Sequence, residues 1–272
     1  MRAAIAVTAL LLCPACILDA TVEYKYVEHE QRHFATSGTP DVALKTFDGA
    51  IEVRPWDKSE VDVTIEKRGP SQESLKDLVV EATQDGDRVT VEVRSKHPGG
   101  IHFGLSPNAK LIVSLPARSN VVARSGDGSI DIERVTGRVE LNSGDGSIRA
   151  RDLTGDVNVH TGDGSVALEG RFAALKATTG DGSVRIHVAE GSSPTDDWIV
   201  TTGDGSITLE IPDGFNGDLD AHTGDGRVRT ENVTVSNVVG EMRRNALKGR
   251  LGAGGKLLKL RTGDGSITLR RS

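Results

Sequence analysis

Seven aspartates occupy equivalent positions in a repeated segment, each between two glycines, and carboxylates at this regular spacing could bind a metal or take part in catalysis. A column of carboxylates could bind calcium, and carboxylates with basic neighbours on one face could cleave an acidic polysaccharide. Both residue types also form turns, because glycine adopts positive φ and aspartate hydrogen-bonds the local backbone. We favour the turn interpretation and expect no catalytic residue, no metal site and no cofactor. The turn residues are Gly126, Asp127, Gly128, Gly144, Asp145, Gly146, Gly162, Asp163, Gly164, Gly180, Asp181, Gly182, Gly203, Asp204, Gly205, Gly224, Asp225, Gly226, Gly263, Asp264 and Gly265.

The copies recur at a nearly fixed period, and their flanks alternate apolar and polar residues. The first glycines of the first four copies are at positions 126, 144, 162 and 180, a step of 18 residues. We call each Gly-Asp-Gly segment a corner. Val139, Leu141 and Ser143 share one parity before the corner at 144–146, and Ile148 and Ala150 share another after it. Period-2 spacing on both sides of a corner predicts two half-buried strands in each unit. A fixed period over many copies indicates one unit stacked on itself.

Two all-β architectures fit this unit. The first is a β-solenoid, in which each unit is one coil and the coils stack in parallel with like residues in register. The alternative is an antiparallel β-meander or sandwich, because Asp-Gly is also a hairpin signal. The identity of the copies favours the solenoid. We expect its coils to follow chain order, so that Gly265 lies in the last coil. We also expect an inward ladder of hydroxyls just before the corners, at Ser125, Ser143, Thr161, Thr179, Thr202, Thr223 and Thr262.

Composition and surface pattern argue against several classes of function. The net charge of −6 and the 26% of charged residues describe a mildly acidic body, so we expect no nucleic-acid partner. Glu133, Arg151 and Glu169 occupy the same place in successive units, which predicts alternating charges down the stack. His160 and His222 both precede a corner, with two other corners between them. Their expected separation of roughly 14 Å is too large for a shared metal.

The N-terminus resembles a bacterial lipoprotein leader. A short apolar run, 3–12, precedes Cys13-Pro14-Ala15-Cys16 and is too short to span a bilayer. We expect residues 1–16 to be a signal peptide with Cys16 as the lipidated residue. Cleavage after Ala15 by an ordinary signal peptidase is the alternative. Both cysteines lie here, so the mature body contains no disulfide.

The rest of the chain divides into three parts. We expect a tether over 17–44, an N-terminal β part over 45–118 with a short helix capped by Ser71, and the regular solenoid over 119–272. A hairpin is expected around Gln84-Asp85-Gly86-Asp87. The excursion over 237–248 has a helix-like pattern. It carries Arg243, Arg244 and Lys248, a cluster that either meets an anionic polymer or headgroup or belongs to a solvated loop or end cap.

The Thr-Gly-Asp-Gly-Ser-Ile corners also resemble a known family. Asp48-Gly49-Ala50-Ile51-Glu52-Val53, with Trp56-Asp57 after it, and Gly249-Arg250-Leu251-Gly252-Ala253-Gly254-Gly255 strengthen the resemblance. The family is the bacterial β-strand-repeat family of unknown function that carries an adhesin label and is also called the toastrack domain. The resemblance covers about residues 45–272. It implies a right-handed, β-helix-like stack on envelope proteins, some of them linked to membrane-stress signalling.

These observations lead to one functional expectation and one alternative. We expect an exported, non-enzymatic protein of the cell envelope, periplasmic or at the outer membrane, that serves as a scaffold, adhesin-like or envelope-stress interaction surface. Its expected partners are the membrane, through the lipid anchor, and an envelope protein or polysaccharide. The alternative is a carbohydrate-active or calcium-binding β-helix protein.

Overall fold

A computed structural model describes residues 24–96, 106–239 and 244–272. Strand makes up 63% of the described residues and helix 2%, which confirms the all-β class. The one helix of the described residues, α1, is Gln72–Lys76, with Ser71 as its N-cap. The strands are β1 (Tyr26–Ala35), β2 (Asp41–Thr46), β3 (Ile51–Trp56), β4 (Glu60–Gly69), β5 (Leu78–Asp85), β6 (Arg88–Ser95), β7 (Asn108–Pro116), β8 (Asn120–Ser125), β9 (Ile130–Glu133), β10 (Thr136–Ser143), β11 (Ile148–Thr161), β12 (Val166–Thr179), β13 (Val184–Val188), β14 (Trp198–Thr202), β15 (Ile207–Ile211), β16 (Gly217–Thr223), β17 (Val228–Glu231), β18 (Ala246–Leu251), β19 (Leu257–Thr262) and β20 (Ile267–Arg271).

The strands form two long faces joined at the Gly-Asp-Gly corners. Face A carries the strands that precede a corner, and face B carries those that follow one. In spatial order, face A is β5, β6, β2, β8, β10, β11, β12, β14, β19, β16 and β18. In spatial order, face B is β1, β4, β7, β3, β9, β11, β12, β13, β15, β20 and β17. The long strands β11 and β12 contribute one half to each face.

The pairing of the repeated strands is parallel and in register, so the solenoid is confirmed and the antiparallel meander is wrong. Val139 pairs with Val121 on one side and with Val157 on the other. In-register stacking places equivalent apolar residues on top of one another. Leu141 and Ile148, on the two faces of one coil, are at most 1% exposed. The core is therefore one thin aliphatic layer along the stack.

Three aromatic residues cluster in the core between the start of β12 and the start of β16. Trp198 packs edge-on against Phe172, with ring centroids 6.0 Å apart, and lies 5.3 Å from Phe215. These three rings lie where loops enlarge the coils, after β12 has begun and before β16. The wider coils there need larger side chains to fill them.

Chain order and stack order differ at the C-terminal end. The coil formed by β19 and β20, the last in the sequence, lies between the coil of β14 and β15 and the coil of β16 and β17. The expectation that the Gly265 corner ends the stack is therefore wrong. The same arrangement occurs at the other end, where the first coil, β2 and β3, lies between β6–β7 and β8–β9.

Antiparallel strands close both ends of face A and the β7 end of face B. Strands β4 and β1 cover β7, β5 covers β6, and β18 covers β16. On β1 the core-facing parity carries the buried Phe34 and, before it, the charged residues Glu28, Glu30 and Arg32. Lys67 of β4 is 8% exposed, and its Nζ lies 2.9 Å from a carboxylate oxygen of Glu30. Charged groups at core-facing positions of an edge strand stop further stacking.

Three expected boundaries need correction or fall outside the described residues. The tether over 17–44 is wrong where it overlaps the fold, because β1 begins at Tyr26 and β2 at Asp41. The helix-like excursion over 237–248 is wrong in its described part, since β18 begins at Ala246 and pairs antiparallel with β16. The signal peptide, 1–16, lies outside the described residues. The hairpin around Gly86 joins β5 to β6 as expected. No helix in the described part of the chain is long and apolar enough to cross a membrane.

Candidate binding surfaces

The corner glycines are required by close approach between coils, and the expected positive φ is wrong for the seven regular copies. Gly164 illustrates the reason: a Cβ on it would lie 2.2 Å from the carbonyl oxygen of Gly146 in the preceding coil. A Cβ on Gly265 would similarly lie 2.1 Å from the oxygen of Gly205. Glycine allows the corner backbones to stack at the strand spacing, and any side chain would separate them. Among the corners, positive φ occurs only in the irregular early copy, at Gly49 (139°).

The seven expected hydroxyls form an inward ladder, and each donates to a corner carbonyl of the neighbouring coil. Thr161 Oγ1 donates to the oxygen of Gly146 at 2.9 Å, and Thr202 Oγ1 donates to that of Gly182 at 2.8 Å. The ladder follows stack order, because Thr223 donates to Gly265 at 2.6 Å. The seven residues, Ser125, Ser143, Thr161, Thr179, Thr202, Thr223 and Thr262, are at most 8% exposed. The ladder therefore satisfies buried carbonyl groups that stacking alone leaves open.

An eighth member of this ladder was missed in the sequence. Thr46 is 1% exposed, and its Oγ1 donates to the carbonyl oxygen of Ala109 at 3.0 Å. The signal for it was present, since Thr46 precedes Phe47-Asp48-Gly49, an irregular copy of the corner. The oxygen it contacts belongs to the coil of β6 and β7, which comes later in the chain.

The repeated aspartates lie on the outside of the corners. All seven are exposed, whereas Asp48 of the early copy is partly buried. Burial, together with the nearby charge of Asp127, raises the pKa of Asp48. Among the residues that the structure describes, no group of three or more His, Cys, Asp or Glu side chains is placed to hold a metal ion.

Charged residues on face B form a ladder along the stack. Arg151 Nη2 lies 3.4 Å from Glu133, and after an irregularity in β11 the alternation of sign continues. Its in-register members are Glu169, His187, Glu210, Arg270 and Glu231. Burial alone would raise the pKa of Glu210, but hydrogen bonds from Arg270 and His187 hold it below its ordinary value. Charges that pair along a face neutralise one another instead of converging on a reaction centre.

Two further expectations about charged residues are changed by the stack order. His160 and His222 lie four strand spacings apart on face A, about 19 Å, because the last coil intervenes.

The basic cluster contributes to the end of the stack: Lys248 Nζ lies 3.1 Å from Asp220, and the carbonyl of Arg244 accepts from the amide of Val228. Arg243 lies outside the described residues.

Face A bears a long groove that runs across the strands, which we call the A-face groove. It consists of two adjoining depressions, of about 770 and 330 Å³, that share Arg138 and Asp156. Two register columns line it. The first column is Arg88, Asp41, Asn120, Arg138, Asp156 and Ala174. The second column is Ala43, Val122, Glu140, Asn158, Lys176 and Ile199.

A second groove, of about 530 Å³, lies on face B beside the corners. We call it the serine groove, because the serines that follow the corner glycines line one side of it. Asp131, Arg149, Ala167, Arg185 and Thr208 lie on its other side.

Comparisons with known proteins identify a family for this chain. The family model described as Toastrack DUF4097 matches residues 41–195. A candidate cell adhesion protein from Clostridium sporogenes is similar in structure, with 13% identity and a TM-score of 0.43 over 91% of this chain and 100% of that chain. A candidate adhesin from Bacteroides fragilis has 13% identity and a TM-score of 0.42 over 90% and 97%. A candidate lipid-binding protein from Parabacteroides distasonis has 13% identity and a TM-score of 0.29 over 90% and 96%. No curated protein matches the chain.

Proposed function

Because the chain belongs to the Toastrack DUF4097 family, we propose that it is an exported, lipid-anchored protein of the cell envelope that acts as a non-enzymatic interaction surface. The observation that supports this best is the pair of continuous outward faces. Their side chains are held in register columns by a ladder that pairs strand to strand along the stack. Such a surface suits an extended partner that contacts many coils at once.

Anchoring at Cys16 would orient the stack. Strand β1 begins at Tyr26, so nine residues separate it from Cys16, and they reach at most about 32 Å. Strand β1 lies at the end of face B that β4 closes. The capped N-terminal end would therefore face the membrane, and the coils of β16 to β20 would extend away from it.

The two leader cysteines provide a matched test of the anchor. We expect Cys16→Ser to move the protein from the membrane fraction to the soluble fraction and to abolish incorporation of labelled palmitate. Cys13→Ser should retain both properties, because only the residue that becomes the mature N-terminus is lipidated. A wild-type protein that is already soluble, or that takes up no label, would contradict the lipoprotein proposal.

The interaction role has a separate test. Full-length protein carrying Cys16→Ser should sediment saturably with isolated cell-envelope fragments, because the outward faces remain intact without the lipid. Heat-denatured protein is the control for trapping. If the folded protein stays in the supernatant at every concentration, the interaction role is wrong.

A further inference from the structure

We propose that the A-face groove binds an extended, uncharged polysaccharide strand that runs parallel to the stack axis. This inference rests on the proposed function, because it names the partner class for one of the interaction surfaces. It also assigns that role to face A and not to the serine groove of face B. The shape of the groove, the open polar groups along it and its paired backbone all favour such a ligand.

The groove is continuous because register pairing aligns its lining residues from strand to strand. Asn120, Arg138 and Asp156 follow one another in the first column, and Val122, Glu140 and Asn158 follow in the second. The lining extends from β6 to β14, which are seven neighbouring strands on face A. Six strand spacings give a length of about 29 Å. A continuous groove of this length fits a ribbon-like chain, such as a β-1,4-linked glycan, better than a compact ligand.

The floor is shaped by small residues. Gly137 and Gly155 lie in it with φ values of 149° and 123°, and a Cβ on Gly155 would lie 2.3 Å from the carbonyl oxygen of Gly137. Ala43 and Val122 continue the floor with short aliphatic side chains. Such a surface can contact the apolar C–H face of a sugar ring while leaving the ring hydroxyls directed towards the walls.

The polar groups of the groove offer both donors and acceptors. The guanidinium of Arg138 lies 3.9 Å from Asp156, and that of Arg88 lies 3.9 Å from Asp41. Both separations exceed hydrogen-bond distance, so these groups keep donors and lone pairs that a hydroxyl can use. Lys176 has no ion pair within the described residues. Hydroxyl groups need donors and acceptors together, and this groove provides them in alternation along the first column.

Charge and backbone pairing argue against two other polymers. The lining carries three cationic side chains against five carboxylates, Asp196 and Asp197 included, so an anionic polymer gains no net attraction. An extended polypeptide usually docks by adding a strand to an open sheet edge. All seven strands here are paired on both sides, with β5 beside β6 at one end and β19 beside β14 at the other. The groove therefore offers a peptide no backbone ladder.

Titration calorimetry of the full-length protein carrying Cys16→Ser with cellohexaose and chitohexaose tests the inference. We expect one of these two hexasaccharides to bind, and its trisaccharide to bind at least tenfold more weakly because it spans only half of the groove. Ala43→Trp fills the floor and should abolish binding. Arg138→Ala removes an exposed donor and should weaken binding about tenfold without affecting the fold.

Ala167→Trp is the matched control, because it places the same bulky ring in the serine groove of face B. It should leave glycan affinity unchanged, and circular dichroism should show that both tryptophan variants are folded. Loss of binding in Ala167→Trp but not in Ala43→Trp would overturn the assignment to face A. The inference would also be overturned if neither hexasaccharide binds, or if only an oligogalacturonate does. Envelope binding that persists in Ala43→Trp would contradict this inference alone, whereas absence of envelope binding by the unaltered protein would contradict the proposed function.

Discussion

The amide of Gly263 donates a hydrogen bond of 2.6 Å to the carbonyl oxygen of Gly203, a residue that precedes it by 60 positions. The amide of Gly224 in turn donates to the oxygen of Gly263 at 2.7 Å. The last corner of the chain thus lies between two corners that come earlier in the sequence. The coil of β14 and β15 and the coil of β16 and β17 do not pair with each other, and the final strands, β19 and β20, lie between them. The C-terminal segment is therefore held on both sides by long-range contacts.

The inserted coil changes which corner is most sensitive to substitution. We expect Gly265→Ala to destabilise the protein by about 2–4 kcal/mol, because its Cβ would meet the backbone of a coil that cannot move away. Gly226→Ala, in the outermost coil of face B, should cost about half as much, since that coil can shift outwards. Urea denaturation of the two variants measures the difference. A larger loss in Gly226→Ala would contradict the stack order.

Steric contact and backbone conformation can be separated with two other glycines. Gly164→Ala should cost about 2–4 kcal/mol by contact with Gly146. Gly86 has a φ of 58°, and a Cβ added to it would meet no atom within 4 Å, so Gly86→Ala should cost only about 1 kcal/mol. Equal losses in the two variants, measured by the same denaturation, would show that close approach is not what requires glycine at the corners.

The hydroxyl ladder predicts a difference between adjacent threonines. Thr202 is buried, donates to the oxygen of Gly182 and accepts from the amide of Gly205 at 3.3 Å. Thr202→Val should cost about 1–3 kcal/mol, because it leaves these backbone groups without a partner. Thr201 faces outwards on the same strand, and Thr201→Val should change stability by less than about 0.5 kcal/mol. If both substitutions are neutral, the ladder does not stabilise the stack.

Two carboxylates should respond to pH with opposite signs. The raised pKa of Asp48 means that its charged form opposes folding once the pH exceeds about 3.8, its ordinary value. Asp48→Asn should therefore raise the melting temperature at pH 7, and the gain should vanish near pH 3. Burial alone would raise the pKa of Asp220, but hydrogen bonds from Arg261 and Lys248 lower it.

Asp220 thus contributes stability above its ordinary pKa of 3.8, and this contribution is lost as the pH falls through its lowered value. Asp220→Asn should lower the melting temperature at pH 7 and approach the wild-type value in strong acid. Thermal melts of both variants between pH 3 and pH 7 provide the comparison. Shifts of the same sign for the two variants at pH 7 would contradict these assignments.

The exposed aspartate column is expected to be independent of metal. Each corner offers one carboxylate, and the described residues hold no cluster of three potential ligands. We expect the same melting temperature in EDTA and in millimolar calcium, with magnesium as the control for ionic strength. A rise of many degrees that calcium alone produces would favour the calcium-binding alternative.

The repeat unit and its parallel stacking could be predicted from the sequence, because each copy encodes its own strands and corner. Alternation around Leu141 and Ile148 places one side of each strand in the core, and Thr161 before its corner places a hydroxyl where a carbonyl needs a donor. These are local properties, and identical copies satisfy them in the same way. The reason for the corner glycines was misassigned, because the close approach of Gly164 to Gly146 exists only between coils.

The order of the coils and the A-face groove were decided by the tertiary structure. Equivalent corners can stack on one another in any order, so nothing within a copy says that Gly263 should meet Gly203 before Gly224. That choice depends on the non-repeated segments, such as β18, which covers β16 and leaves the inner place to β19. The charged residues on the inner side of β1 are explained by their contact with Lys67 of β4. Arg138 and Asp41 line one groove because their strands are near neighbours on face A. The repeats thus carry the local geometry, whereas the competition among equivalent partners is resolved by the caps and insertions of the folded chain.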